Sequence, residues 1–192
     1  MFVAIELPLA ARQVLAGIGA TLHQRDQLLK VVSPDLLHIT IRFLGDVAPS
    51  RVDDVTGAVN QAVRGERSFQ LRLSGAGRFP ARGIPRVIWC GLERDAGLDS
   101  ATRLFHKLEA ALISGGFPPE SRPFAPHITL ARARDNLTSG DAQTLEALLA
   151  GINSTQPPCA SFEVRHLTAM KSDLGSGKPR YTPIIQSPLM DP

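Results

Sequence analysis

The stretch Leu37-His38-Ile39-Thr40-Ile41-Arg42-Phe43-Leu44 alternates between apolar and polar side chains, the period-2 pattern of a half-buried β-strand. Leu37, Ile39, Ile41 and Phe43 share one face, and His38, Thr40 and Arg42 share the other. Eighty-nine residues later, His127-Ile128-Thr129-Leu130-Ala131-Arg132 nearly repeats the motif. Each copy is a strand beside a helix-like segment, which suggests two similar lobes with the motifs facing a shared cleft.

Working outward, Phe2–Leu7 reads as a buried strand and Leu9–Leu29 as a helix with Val14, Ile18 and Leu22 on one stripe. After Gly45, Ser50-x-x-Asp53 resembles a capping box, ahead of a helix with Val52, Val55, Val59 and Val63 as its stripe. Phe69–Leu73 alternates as a strand, and a Gly/Pro-rich loop, Gly75–Pro85, carries Arg78, Phe79 and Arg82. Arg86–Leu92 reads as a strand, and Leu98–Leu112 as a helix stopped by Gly115 and Gly116. A shorter helix around Ala142–Leu149 and strands at Phe162–Met170 and Tyr181–Ile185 complete the pattern, the last two joined by a loop from Asp173 to Arg180.

The paired motifs carry the chemistry. Histidine holds or loses a proton near neutral pH, so two imidazoles facing one substrate can act as general acid and general base. Thr40 and Thr129 follow on the same strand faces, where hydroxyls can hold a phosphoryl oxygen. A third match, His166-Leu167-Thr168, is read instead as a half-buried histidine, and His23 and His106 as surface residues. Arg42 shares the face of His38. Arg132 closes the second strand, on the wrong face under strict alternation. Arg78, Arg82, Lys178 and Arg180 sit in loops where binding residues concentrate, and Phe79 can stack on a base.

The 192 residues carry 21 Lys plus Arg against 18 Asp plus Glu, and 17 of the 21 cations are Arg, a bias that suits phosphate recognition. The sequence shows no P-loop, GxGxxG, HExxH or GxSxG motif and no apolar run long enough to span a membrane. Cys90 and Cys159 stand alone, Cys90 in a buried-looking strand, so a disulfide framework or zinc site is not expected and a reducing, cytoplasmic setting is.

These residues resemble the two-histidine (2H) phosphoesterase superfamily, and more closely its RNA 2′,3′-cyclic phosphodiesterase family, also called the 2′-5′ RNA ligase family. The match rests on Phe2-Val3-Ala4-Ile5 with Pro8, on Pro34–Gly45 around the first motif, and on Gly77-Arg78-Phe79-Pro80 and Pro85–Trp89. Pro126–Arg132 around the second motif, with Ser172 and Tyr181, completes it. Val32 stands where the family often has an aromatic residue, and Lys171 where it has an acidic one.

The resemblance implies an α+β fold of two pseudo-symmetric lobes, each an antiparallel sheet with helices outside, forming one inseparable domain over residues 1–192. It implies cleavage of RNA 2′,3′-cyclic phosphates to 2′-phosphomonoesters without metal or other cofactor, and the reverse 2′-5′ ligation. His127 would be the proton acceptor, His38 the proton donor, and Thr40 and Thr129 the phosphate holders. Arg42, Arg132, Phe79 and Arg78 are expected to bind substrate. The implied partners are RNA ends, tRNA halves among them, or nucleotides; no protein partner is implied, so a monomer is expected, and the lack of a long apolar run sets the expectation of no membrane. Two other readings stay open: a phosphodiesterase of small cyclic nucleotides or 2′-5′ oligonucleotides, and a non-catalytic RNA-binding module.

Overall fold

A computed structural model describes residues 1–155, 157–173, 175 and 179–191. Within them, alternating and amphipathic stretches form nine strands and four α-helices: β1 (Phe2–Glu6), α1 (Leu9–His23), β2 (Leu29–Val31), β3 (His38–Phe43), α2 (Val52–Val63), β4 (Phe69–Phe79), β5 (Val87–Leu92), α3 (Ala96–Ser114), β6 (Ile128–Ala133), α4 (Ser139–Thr155), β7 (Ser161–Val164), β8 (His166–Asp173) and β9 (Arg180–Pro188). Strand order is β7-β4-β5-β6-β3-β1-β8-β9, antiparallel throughout, with β2 taking the edge of β6 beyond β3.

The two motif strands meet at one residue pair, Ile39↔Ile128. Two sheets, β3-β1-β8-β9 and β6-β5-β4-β7, are thus joined at a seam formed by the paired motifs. One face joins the main core, where Val3, Ile5, Ile39, Ile88, Ile128 and Leu167 pack with apolar residues of all four helices. On the other face Phe2, Ala4 and Met170 form a small separate cluster against Tyr181.

Both motif strands carry a β-bulge at the same step. On β3 the register passes from Ala4↔Thr40 to Val3↔Arg42, leaving Ile41 as an extra residue. On β6 it passes from Trp89↔Thr129 to Ile88↔Ala131, leaving Leu130 extra. A bulge puts two successive residues on one side and reverses the alternation beyond them. Ile41 and Arg42 are both buried, as are Leu130 and Ala131, while Phe43 and Arg132 turn outward.

Several boundaries differ from the sequence reading. α1 stops at His23, because residues 24–28 form turns that release Leu29–Val31 to pair with β6. Ser50 lies in a 3₁₀ turn rather than capping α2. β4 continues through the Gly-rich run to Phe79: Gly75 is the bulged residue (φ +55°), and Gly77 lies beneath the Trp89 ring. Phe162–Met170 is two strands, since β7 pairs with β4 in one lobe and β8 with β1 in the other. α3 starts where Asp95 accepts from the backbone N–H groups of Gly97 and Leu98, and a Cβ at Gly97 would strike the Gln70 carbonyl.

Candidate active site

The seam brings His38 and His127 together on adjacent strands, and both rings are held by the same local device. His38 Nδ1 donates to the Leu36 carbonyl at 2.8 Å, and His127 Nδ1 donates to the Ala125 carbonyl at 2.7 Å. Each acceptor lies two residues upstream of its histidine, Leu36 at the end of a 3₁₀ turn and Ala125 in the loop before β6. With the proton fixed on Nδ1, Nε2 is left as the reactive nitrogen of both rings. His38 Nε2 lies 3.1 Å from Thr40 Oγ1. Thr129, opposite Trp89, is half-buried, and its hydroxyl has no hydrogen-bond partner among the described residues.

Aromatic rings flank each imidazole. Phe2 stacks on His38 with centroids 4.8 Å apart, reaching across Ala4, and Tyr181 meets the same ring edge-on at 5.3 Å. Phe79 meets His127 edge-on at 5.0 Å, with Trp89 at 6.5 Å. A cavity of about 340 Å³ opens beside His38, lined by Phe2, Glu6, Arg12, Arg180 and Tyr181 among others. A wider groove of about 750 Å³ lies beside His127, with Phe79, Trp89, Arg94, Asp99 and Phe124 in its walls.

Burial pushes the His38 imidazolium below the ordinary histidine range. The Leu36 carbonyl opposes this, His127 and Arg132 reinforce it, and Glu6 opposes it. Among the described residues, no group of three or more His, Cys, Asp or Glu side chains is placed to hold a metal ion.

The structure sorts the expected substrate contacts. Arg132 reaches the site: the bulge turns it out, and its charge acts on His38. Phe79 also reaches it. Arg42 does not. The matching bulge turns it into the core side, where it pairs with Glu109 at 2.7 Å and bonds the Pro118 carbonyl at 2.6 Å. Arg78 is committed to Glu146 and to the Gly83 carbonyl, bracing the loop after β4 rather than facing the cleft. Arg82 is exposed on that loop, and Lys178 lies outside the described residues.

Phe43, expected in the core, is 54% exposed. Glu6 and Phe2 carry little local signal of a place in the site, because β1 is apolar along nearly its whole length and hides its period. The polar residue ending that strand was the one available signal. Cys90 is buried as expected, and its thiol is pushed up to about 12 by burial.

A fold of two antiparallel half-sheets, with a carbonyl-pinned histidine and a following threonine on each strand of the seam, defines a two-histidine phosphoesterase architecture. The family model described as the 2′-5′ RNA ligase superfamily matches residues 19–176. An RNA 2′,3′-cyclic phosphodiesterase of Methanothermobacter thermautotrophicus is 30% identical over 188 residues, covering 94% of each chain. Its Escherichia coli namesake is 30% identical over 188 residues, covering 96% of this chain and 93% of its own. The crystal structure of E. coli LigT with 3′-AMP superposes with a TM-score of 0.75 at 29% identity, covering 98% of this chain and 96% of that one. A crystal structure from Thermus thermophilus superposes with a TM-score of 0.77 at 27% identity, covering 99% of this chain and 97% of that one. The chain belongs to the 2′-5′ RNA ligase superfamily.

Proposed function

We propose that this protein hydrolyses the 2′,3′-cyclic phosphate at an RNA 3′ end to a 2′-phosphomonoester, with His127 as general base and His38 as general acid. The observation that carries this reading is the matched pair of imidazoles at the seam, each donating from Nδ1 to a backbone carbonyl and so keeping Nε2 for proton transfer, that of His38 beside Thr40 Oγ1. Relatives across most of the chain's length, named RNA 2′,3′-cyclic phosphodiesterase, support the substrate class.

In the forward step a water proton passes to Nε2 of His127 as the water oxygen bonds to phosphorus. The P–O3′ bond breaks, and the proton on Nε2 of His38 moves to O3′. General acid–base catalysis supplies about 10²–10⁴-fold per step. Thr40 and Thr129 hold the non-bridging oxygens, and Arg132 offsets the charge that builds on them. Run in reverse with a 5′-hydroxyl in place of water, the same transfers form a 2′-5′ bond. Phe79 and the exposed Phe43 offer ring faces for bases on either side of the seam. The two lobes act as one unit, since each supplies one of the two proton-transfer groups.

The test is incubation with an oligoribonucleotide ending in a 2′,3′-cyclic phosphate, with identification of the product. A 2′-phosphate, lost in both His38→Ala and His127→Ala, is expected. A 3′-phosphate would mean that the substrate lies the other way round. Faster turnover of free cyclic nucleotides than of RNA ends would favour the small-nucleotide reading, and salt-sensitive RNA binding without turnover would favour a binding module.

A further inference from the structure

Glu6, the last residue of β1, lies directly across from His38 in the β1–β3 register and lines the same cavity. Its carboxylate is held in place: Oε2 accepts from Thr168 Oγ1 at 2.9 Å and from Gln186 Nε2 at 3.0 Å. Thr168 is fully buried on β8 and Gln186 sits on β9, so two neighbouring strands fix the charge. Thr168 is the hydroxyl of the third His-x-Thr match. Its motif is no third copy of the catalytic one, but it supports the first.

The other lobe has no equivalent at this register position; the carboxylates in its groove, Asp95 and Asp99, come from the start of α3. Ile5↔Ile39 corresponds to Cys90↔Ile128 across the seam, so the counterpart of Glu6 is Gly91, which has no side chain. One of the two histidines therefore has a fixed anion as its cross-strand neighbour, and the other has a bare backbone. We propose that Glu6 is a positioning residue that holds His38 in its protonated, proton-donating form, and so assigns the acid role to this lobe. The proposal rests on the acid–base reading given above.

The surroundings show why such a charge is needed. Phe2 and Tyr181 shield the ring from water. His127, just before β6, and Arg132 of β6 act against its positive charge. Arg12 of α1, Arg180 of β9 and Asp35 in the turn before β3 line the adjoining cavity. His166 lies on β8 two residues before Thr168. Among the described groups that act on it, the Leu36 carbonyl and Glu6 favour the imidazolium.

The experiment compares pH profiles of kcat and KM for wild type, Glu6→Gln and Glu6→Asp on the cyclic-phosphate oligonucleotide. It is paired with an NMR titration of the His38 ring in the same three proteins. Glu6→Gln removes the anion, so His38 loses its proton at lower pH and the basic limb of kcat/KM moves down with it. We expect a displacement of about half to one pH unit, smaller than that from an opposite charge in direct contact. On the basic limb this is a roughly three- to tenfold loss, shrinking towards acid pH. Glu6→Asp keeps the limb closer to wild type.

Three results would overturn the proposal: a uniform loss at every pH, movement of the acidic limb instead, or a base-dependent rise in KM with both limbs fixed. The last would make Glu6 a reader of the nucleobase. The titration separates the two levels of the reading. If wild type turns over no cyclic phosphate, the functional reading fails, while a lowered His38 titration in Glu6→Gln still shows the coupling. An unmoved titration overturns the coupling whatever the activity.

Discussion

The two half-sheets share a plan and differ in what they place at matching positions. Each carries a His-x-Thr strand with a bulge one residue later, a ring pinned through Nδ1 to a carbonyl two residues upstream, and aromatic neighbours. At the matched positions, Phe43 stands against Arg132, Arg42 against Ala131, Ala4 against Trp89, and Glu6 against Gly91. The repeat places two like-held imidazoles side by side, and the departures from it make their surroundings unequal. In the proposed reading the symmetry supplies the acid–base pair, and the asymmetry decides which member is the acid.

The largest expected effect comes from removing either half of the pair. His38→Ala and His127→Ala should each lower kcat/KM by about 10³-fold, and the double variant by much less than the product, because the two groups act in one step. Steady-state kinetics on the cyclic-phosphate oligonucleotide checks this, and a multiplicative double variant would break the pairing. Next come the two arginines that the bulges send opposite ways. Arg132→Ala should cost about 10²-fold in kcat/KM with little change in unfolding midpoint. Arg42→Ala leaves Glu109 nearly buried without its partner and should destabilise the fold by about 3 kcal/mol while the folded fraction keeps its activity. Denaturation curves beside kinetics separate the two.

Gly77→Ala tests the aromatic wall on the His127 side. A Cβ there would lie 2.4 Å from the Trp89 ring, so the indole must shift, and about a tenfold loss in activity is expected. The pH profile carries a smaller signature. In the proposed acid role His38 works only while protonated, and burial, with His127 and Arg132 nearby, lowers its pKa. The kcat/KM of the free enzyme should therefore start to fall with rising pH below the ordinary histidine value of about 6.5. The same shift lowers fold stability as pH drops through that value, because the unfolded chain then binds the proton more readily. The smallest effect is expected at Cys90, which stands where the other lobe has Ile5. Cys90→Val should change stability by less than about 1.5 kcal/mol, and mass spectrometry of the alkylated native protein should find Cys159 modified and Cys90 untouched.

What the sequence revealed follows from the length scale of each signal. The paired histidines and threonines were legible because alternation within a few residues separates a chemical face from a packing face. The two-lobed arrangement was legible because the motif repeats. The fate of Arg42, Arg132 and Phe43 was not, since a bulge shifts parity by one residue and depends on the partner strand's register. Glu6 was hidden for a related reason: its meaning comes from Thr168 and Gln186, more than 160 positions away, and from its neighbour His38 across the strand. The split of Phe162–Met170 at Arg165, where the chain crosses between lobes, likewise depends on pairing partners and not on local pattern.

The most direct measurement of the division of labour between the lobes uses a cyclic-phosphate substrate whose 3′ bridging oxygen is replaced by sulfur. A thiolate leaves without needing a proton, so the reaction no longer requires the acid but still requires the base. If His38 is the acid, the activity lost in His38→Ala returns on this substrate, while His127→Ala stays inactive. Rescue of His127→Ala in place of His38→Ala, or of neither variant, would contradict the assignment.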